Sequence, residues 1–121
     1  MATPNLINID TITPVLAAGA VTTSRADIID VAAEYVAKVN SLIIANIDGT
    51  NAADITVEVS ADNGSNYYAI AKTVSVPADA SIVIIGKDNS IYLDETDLLA
   101  VTASANSDLT YAVSYELLKD A

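Results

Sequence analysis

Val39-Asn40-Ser41-Leu42-Ile43-Ile44-Ala45-Asn46-Ile47, then Asp48-Gly49-Thr50-Asn51, then Ile55-Thr56-Val57-Glu58-Val59-Ser60: this stretch decides the fold. Its first run is apolar and rich in β-branched residues, which stiffen an extended backbone. The Asp-Gly pair then marks a turn. Beyond it, Ile55, Val57 and Val59 alternate with Thr56, Glu58 and Ser60, the period of a strand with one face on a core.

The same grammar continues downstream. Asp62-Asn63-Gly64-Ser65-Asn66 is a second turn, and Tyr67 to Val76 returns as a strand that ends at Pro77-Ala78-Asp79. Ser81-Ile82-Val83-Ile84-Ile85 is apolar on both faces, and Lys87-Asp88-Asn89-Ser90 leads into Ile91-Tyr92-Leu93. After Asp94-Glu95-Thr96-Asp97, the residues Leu99, Val101 and Ala103 form an inward row. Leu109, Tyr111, Val113, Tyr115 and Leu117 form the last inward row, with Thr110, Ala112, Ser114 and Glu116 facing out. Turn chemistry roughly every ten residues predicts an all-β, single-domain antiparallel β-sandwich or jelly roll.

Upstream the pattern is weaker. Ile28, Val31, Ala32, Tyr35, Val36 and Val39 fit a helical stripe, but strands over 27–31 and 35–47, broken at Ala33-Glu34, suit the rest of the chain better. Residues 1–24 read as a semi-extended N-terminal arm, with 25–121 as the sandwich. Pro4 and Pro14 block helix there, while Leu6, Ile7, Ile9 and Ile12 give the arm something to bury. It would add a strand to a sheet, in this subunit or in a neighbour, or else remain a tail.

The 121 residues make one domain, whose hydrophobic fraction of 52% is mostly aliphatic, with 5% aromatics. The chain has no cysteine and no histidine, which removes disulfides, thiolate sites and the usual general base and zinc ligand. A net charge of −11 opposes binding to a phosphate backbone, and Arg25, Lys38, Lys72, Lys87 and Lys119 form no cluster. Met1-Ala2-Thr3-Pro4-Asn5 lacks the basic start of a secretion signal, and no apolar run nears the ~18 residues of a membrane helix.

Candidate chemistry is sparse. The turns 62–66 and 94–97 offer oxygen ligands, but without the spacing of a calcium loop, and both are ordinary β-turn sequences. Glu58, Glu95 and Glu116 fall on outward positions or turns, where nothing raises a carboxyl pKa. No Ser-x-x-Lys occurs to replace a missing Ser-His pair. The reading is therefore of a non-enzyme with no catalytic, cofactor or metal residues. Tyr67 and Tyr68 stand together, and alternation sends one ring inward and leaves the other as an interface anchor. Tyr111 and Tyr115 belong to the core, with hydroxyls at its rim. The candidate interface is thus Leu6, Ile7, Ile9, Ile12, Tyr67 and Tyr68.

The stretch from Ser41 to Val57 resembles small virion structural proteins of tailed bacteriophages, marine and cyanobacterial ones among them. The resemblance continues through Val76-Pro77-Ala78-Asp79-Ala80-Ser81, residues 91–97 and 99–105, and Val113-Ser114-Tyr115-Glu116. It covers residues 39–117 in the same order and implies a head decoration (cement) protein, or a neck, tail or fibre-associated one, with no catalytic residue to carry over. The partners it implies are the major capsid protein or other virion proteins and further copies of the chain, as a trimer, on the capsid surface. A different class, a carbohydrate-binding module of the host-attachment apparatus, would use Tyr67, Tyr68 or Tyr92 as platforms.

Overall fold

A computed structural model of the protein describes residues 7–120. The strands are β1 (Ile9–Val21), β2 (Ala26–Asp30), β3 (Tyr35–Asn46), β4 (Ala53–Ser60), β5 (Tyr68–Val76), β6 (Ser81–Ile85), β7 (Ile91–Leu93), β8 (Leu98–Ala103) and β9 (Leu109–Asp120). The only helical piece among the described residues is a single 3-10 turn, Lys87–Asn89. Of the two readings of residues 26–39, the pair of strands is the one that forms. Glu34 breaks the run by taking a left-handed backbone, φ 71°, and the Tyr35 amide closes the turn onto Ala32 O at 3.2 Å.

Every pairing is antiparallel, and the order is that of one long hairpin rolled up. The first strand pairs with the last (β1 with β9), the second with the next to last (β2 with β8), β3 with β6 and β7, and β4 with β5. Cross-pairs β3–β9 and β4–β8 close two sheets, β1-β9-β3-β6 with β7 also on β3, and β2-β8-β4-β5. This is jelly-roll connectivity. β6 and β7 lie end to end along the same edge of β3, one against Leu42–Ala45 and the other against Ala37–Val39.

The segment 9–21 of the expected arm is extended, and it pairs with β9 of the same chain along its length. Pro14 is tolerated because β1 is an edge strand, with a side on which no ladder bond is lost. The boundary drawn at residue 24 falls in the β1–β2 connection. Leu6, with the rest of 1–6, lies outside the described residues.

Leu42, Ile44, Leu109 and Val113 of the larger sheet face Ile55, Val57, Leu99 and Val101 of the smaller, all fully buried. The inward rows read from alternation lie where expected, with Tyr111, Tyr115 and Leu117 packed at the rim. A register shift between Val39 and Ser41 resets the parity of β3, sending Leu42 and Ile44 inward and Ile43 outward. Asp48-Gly49 does not close a hairpin, since it carries the chain from one sheet to the other. The buried Asn46 organises that end of the sandwich. Its Nδ2 donates to Val76 O at 2.9 Å and Asn51 O at 3.0 Å, and its Oδ1 accepts from the Asp48 amide at 2.9 Å.

Candidate interaction surface

A sandwich has two outer faces, and here they differ. On the smaller sheet the register row Asp27–Ala100–Glu58 faces outward, beside Leu98 and Ser60. Ala100 and Leu98 are nonetheless buried, because residues 61–67 fold back over them. Ser60 Oγ accepts the Gly64 amide at 2.8 Å and donates to Asp62 Oδ1 at 2.9 Å. Gly64 takes φ +90° with Leu98 Cδ1 3.4 Å from where a Cβ would stand. Tyr67 completes the roof: its hydroxyl donates to Asp27 Oδ1 at 2.9 Å, and the Arg25 guanidinium sits 4.0 Å above its ring. Arg25 Nε in turn donates to Glu58 Oε1 at 3.0 Å.

The outer face of the larger sheet has no such roof along most of its length, although Val36 at one end is buried. Its rows run Ile12–Leu118–Val36, Pro14–Glu116–Lys38–Tyr92, Leu16–Ser114–Ser41, Ala18–Ala112–Ile43–Val83 and Ala20–Thr110–Ala45–Ser81. The charges in these rows are Glu116 and Lys38, which stand opposite each other and cancel. Asn40 Nδ2 donates to Glu116 Oε1 at 3.1 Å. In a chain of net charge −11 these rows carry no net charge, and Asp120, two residues beyond Leu118 on β9, adds a carboxylate at the end of the face. Large apolar side chains are nevertheless open on it: Leu16 is 74% exposed, Val83 64% and Ile12 60%. Between the small residues Ala18, Ala45, Thr110 and Ala112 and the flank of Ile43 lies a shallow depression of about 410 Å³. Single apolar side chains are normal on a surface, and here several, on β1, β3 and β6, make this face the candidate interaction surface.

The residues singled out from sequence distribute unevenly over this geometry. Ile12 lies on the bare face, Ile9 is half-buried opposite Asp120, and Ile7 is almost fully exposed ahead of β1. Tyr68 is 69% exposed on the edge strand β5. Neither ring of the Tyr67-Tyr68 pair enters the core, contrary to the alternation argument, because Tyr67 precedes the strand and lies in the roof. Leu16, Ala18, Ile43 and Val83 were not singled out. For Ile43 and Val83 the signal was the runs Leu42-Ile43-Ile44 and Ser81–Ile85, apolar on both strand faces when a sandwich needs only one.

The acidic turns spend their oxygens on their own backbone. Asp62 accepts from Ser60 Oγ, from the Asn66 amide at 2.9 Å and from Asn66 Nδ2 at 2.7 Å, and the Asn66 bonds hold its carboxyl below the usual range. Asp48 is lowered likewise, chiefly by the Thr50 amide. Asp97 moves the other way, raised by burial although the Asp94 amide bonds it at 2.8 Å. The bond to Asp27 raises the Tyr67 phenol, and burial raises that of Tyr115. Among the described residues no group of three or more Asp or Glu converges to hold a metal ion. No helix of the described residues is long and apolar enough to cross a membrane.

No protein-family model and no curated protein matches the chain. Among solved structures it is similar to a subunit of Bacillus endospore appendages, described as a novel family of disulfide-linked pili. The TM-score is 0.55 at 13% identity, over 92% of this chain and 88% of that one. At such identity the likeness is one of fold. The cysteine-free sequence has no counterpart to the disulfides named there. Two crystal structures of a pentameric capsid protein from metagenomic phage sequences match at 16% identity and a TM-score of 0.40. They cover 95% of this chain and 62% and 67% of theirs.

Proposed function

We propose that the chain is a non-enzymatic structural component of a bacteriophage particle, a decoration protein that seats on the assembled head and bridges capsid subunits. The observation that carries this reading is the one-sidedness of the sandwich. The outer face of the larger sheet leaves Ile12, Leu16 and Val83 open, whereas the other is roofed over Leu98 and Ala100 and carries Asp27, Asp30 and Asp54, with Glu58 paired to Arg25. A protein with one adhesive face and one acidic face docks once, on a large surface, and points its charge outward. The phage assignment comes from the sequence resemblance over 39–117.

Binding only the assembled shell stabilises it by mass action, with no chemistry required. The trimer implied by the resemblance has no three-fold feature among the described residues to support it. The test is the melting of purified heads with and without the protein. Heads should melt at higher temperature with it, and Ile43→Asp, which puts a carboxylate in the centre of the bare face, should abolish both binding and the shift. Unchanged melting of heads with saturating protein would reject the reading. If the protein binds a particle in six or twelve copies instead of hundreds, the neck, tail or fibre reading replaces decoration. A glycan array addresses the exposed Tyr68 and Tyr92 as sugar platforms; Tyr67 is already engaged by Arg25 and Asp27.

A further inference from the structure

Two sheets leave four edges, and three of them are guarded. β2 is five residues long, carries a register shift and bears Asp27 and Asp30. β5 has two register shifts, Lys72, and Thr73 in a left-handed backbone at φ 47°. The β6–β7 edge is interrupted by the 3-10 turn. These are the devices that keep sheet edges from pairing with other chains. β1 is different. From Thr11 to Val21 it pairs with β9 without a shift, and residues 11–24 contain no charge. From Val15 to Val21 it also contains no proline, and its other side pairs with no strand among the described residues.

We propose that two copies of this chain pair antiparallel through their β1 edges, about a two-fold axis at Ala18, so that the larger sheet runs on from one copy into the next. The occupant follows from the sequence of the edge. Across Val15-Leu16-Ala17-Ala18-Gly19-Ala20-Val21 every residue is uncharged and either small or aliphatic, so reversal about Ala18 sets Val15 against Val21, Leu16 against Ala20 and Ala17 against Gly19 with no charge facing another. Such a register suits an isologous contact. Charge permits it as well. Two chains of net charge −11 repel, but here no carboxylate of β1 is set opposite another, since Asp10 falls beyond the paired stretch. The contact also merges two bare faces into one, because Leu16, Ala18 and Ala20 lie on that face. The inference deepens the assembly reading above and rests on it for its purpose, but the contact itself needs no shell.

The experiment is therefore done on the isolated protein. At the axis Ala18 meets Ala18 at the Cα spacing of an antiparallel pair, about 4.5–5.5 Å, inside the range a disulfide spans. The chain has no cysteine, so a single introduced one reports only links between copies. Ala18→Cys under mild oxidation should give a covalent dimer about tenfold or more faster than Ser81→Cys on the opposite edge, because pairing raises the effective thiol concentration at the axis alone. The unmodified protein should have the mass of a dimer by light scattering, and Ala18→Asp, with its fold checked by circular dichroism, should be a monomer. A monomer that links no faster through Ala18→Cys than through Ser81→Cys overturns the proposal, and so does a dimer without that preference. Neither result bears on head melting, so this contact and the decoration reading fail separately.

Discussion

The outer faces of the two sheets are made from the same kind of alternating strand, yet one is closed and the other is left open. Leu98 and Leu16 show the difference. Both point away from the core on outward positions of their strands, but Leu98 is 5% exposed and Leu16 is 74% exposed. What separates them is the connection between β4 and β5, long enough to fold over its own sheet and pinned there by Ser60, Asp62 and the Arg25–Tyr67 stack. Apolar area left open, as at Leu16, gives up its burial on folding and keeps it for association.

Substituting the two leucines breaks the comparison most sharply. Leu98→Ala should cost about 2–4 kcal/mol by chemical denaturation, as expected for a leucine removed from a packed site. Leu16→Ala should lie within about 0.5 kcal/mol of the parent, as for an open surface position. Equal costs would mean that the roof does not pack. Gly64→Ala comes next. An alanine there must hold φ +90°, so a loss of about 1–2 kcal/mol is expected from thermal melts, while its Cβ would meet Leu98 Cδ1 at an ordinary contact distance of 3.4 Å. Because that cost lies in the backbone and not in a clash, it should persist nearly unchanged when Leu98→Ala is added. Arg25→Ala should cost about 1 kcal/mol or less, since its guanidinium is largely solvated, and the difference should shrink in high salt.

The contrast between the faces was only half legible in the sequence. Alternation gave the inward rows of β8 and β9 correctly, because a half-buried strand has to show it. It could not show that β1 pairs with β9, a contact between opposite ends of the chain that no local pattern encodes. Nor could it show which apolar face is core, since the shift at Asn40 reverses parity in mid-strand and Ile43 reads like its neighbours Leu42 and Ile44. The roof was hidden for a third reason. Asp62-Asn63-Gly64-Ser65-Asn66 has the composition of any turn, and what makes it a cover is the reach of Tyr67 to Asp27 across forty positions of sequence. Asn46 went unread because a buried Asn in a strand looks like an error until the carbonyls it serves are in place.

The smallest effect tests whether the roof depends on a charge. Asp62 has its folded pKa lowered by Asn66, so its contribution to stability is fully present above the unfolded value, near 3.8. It is lost as pH falls through the still lower folded value. Asp97, raised by burial, has the opposite sign: its protonation favours the folded state as pH falls. Acid also relieves the repulsion of a net −11 chain, so the melting temperature of the parent alone mixes these contributions. The difference between parent and Asp62→Asn separates them. It should be steady from pH 7 to about 5 and narrow below about pH 4, as the parent's carboxylate takes up its proton and loses its advantage over the amide. Leu98→Ala should show no such narrowing. A gap for Asp62→Asn that stays constant down to pH 2.5 would mean that the roof is held by shape and not by the Asp62 charge.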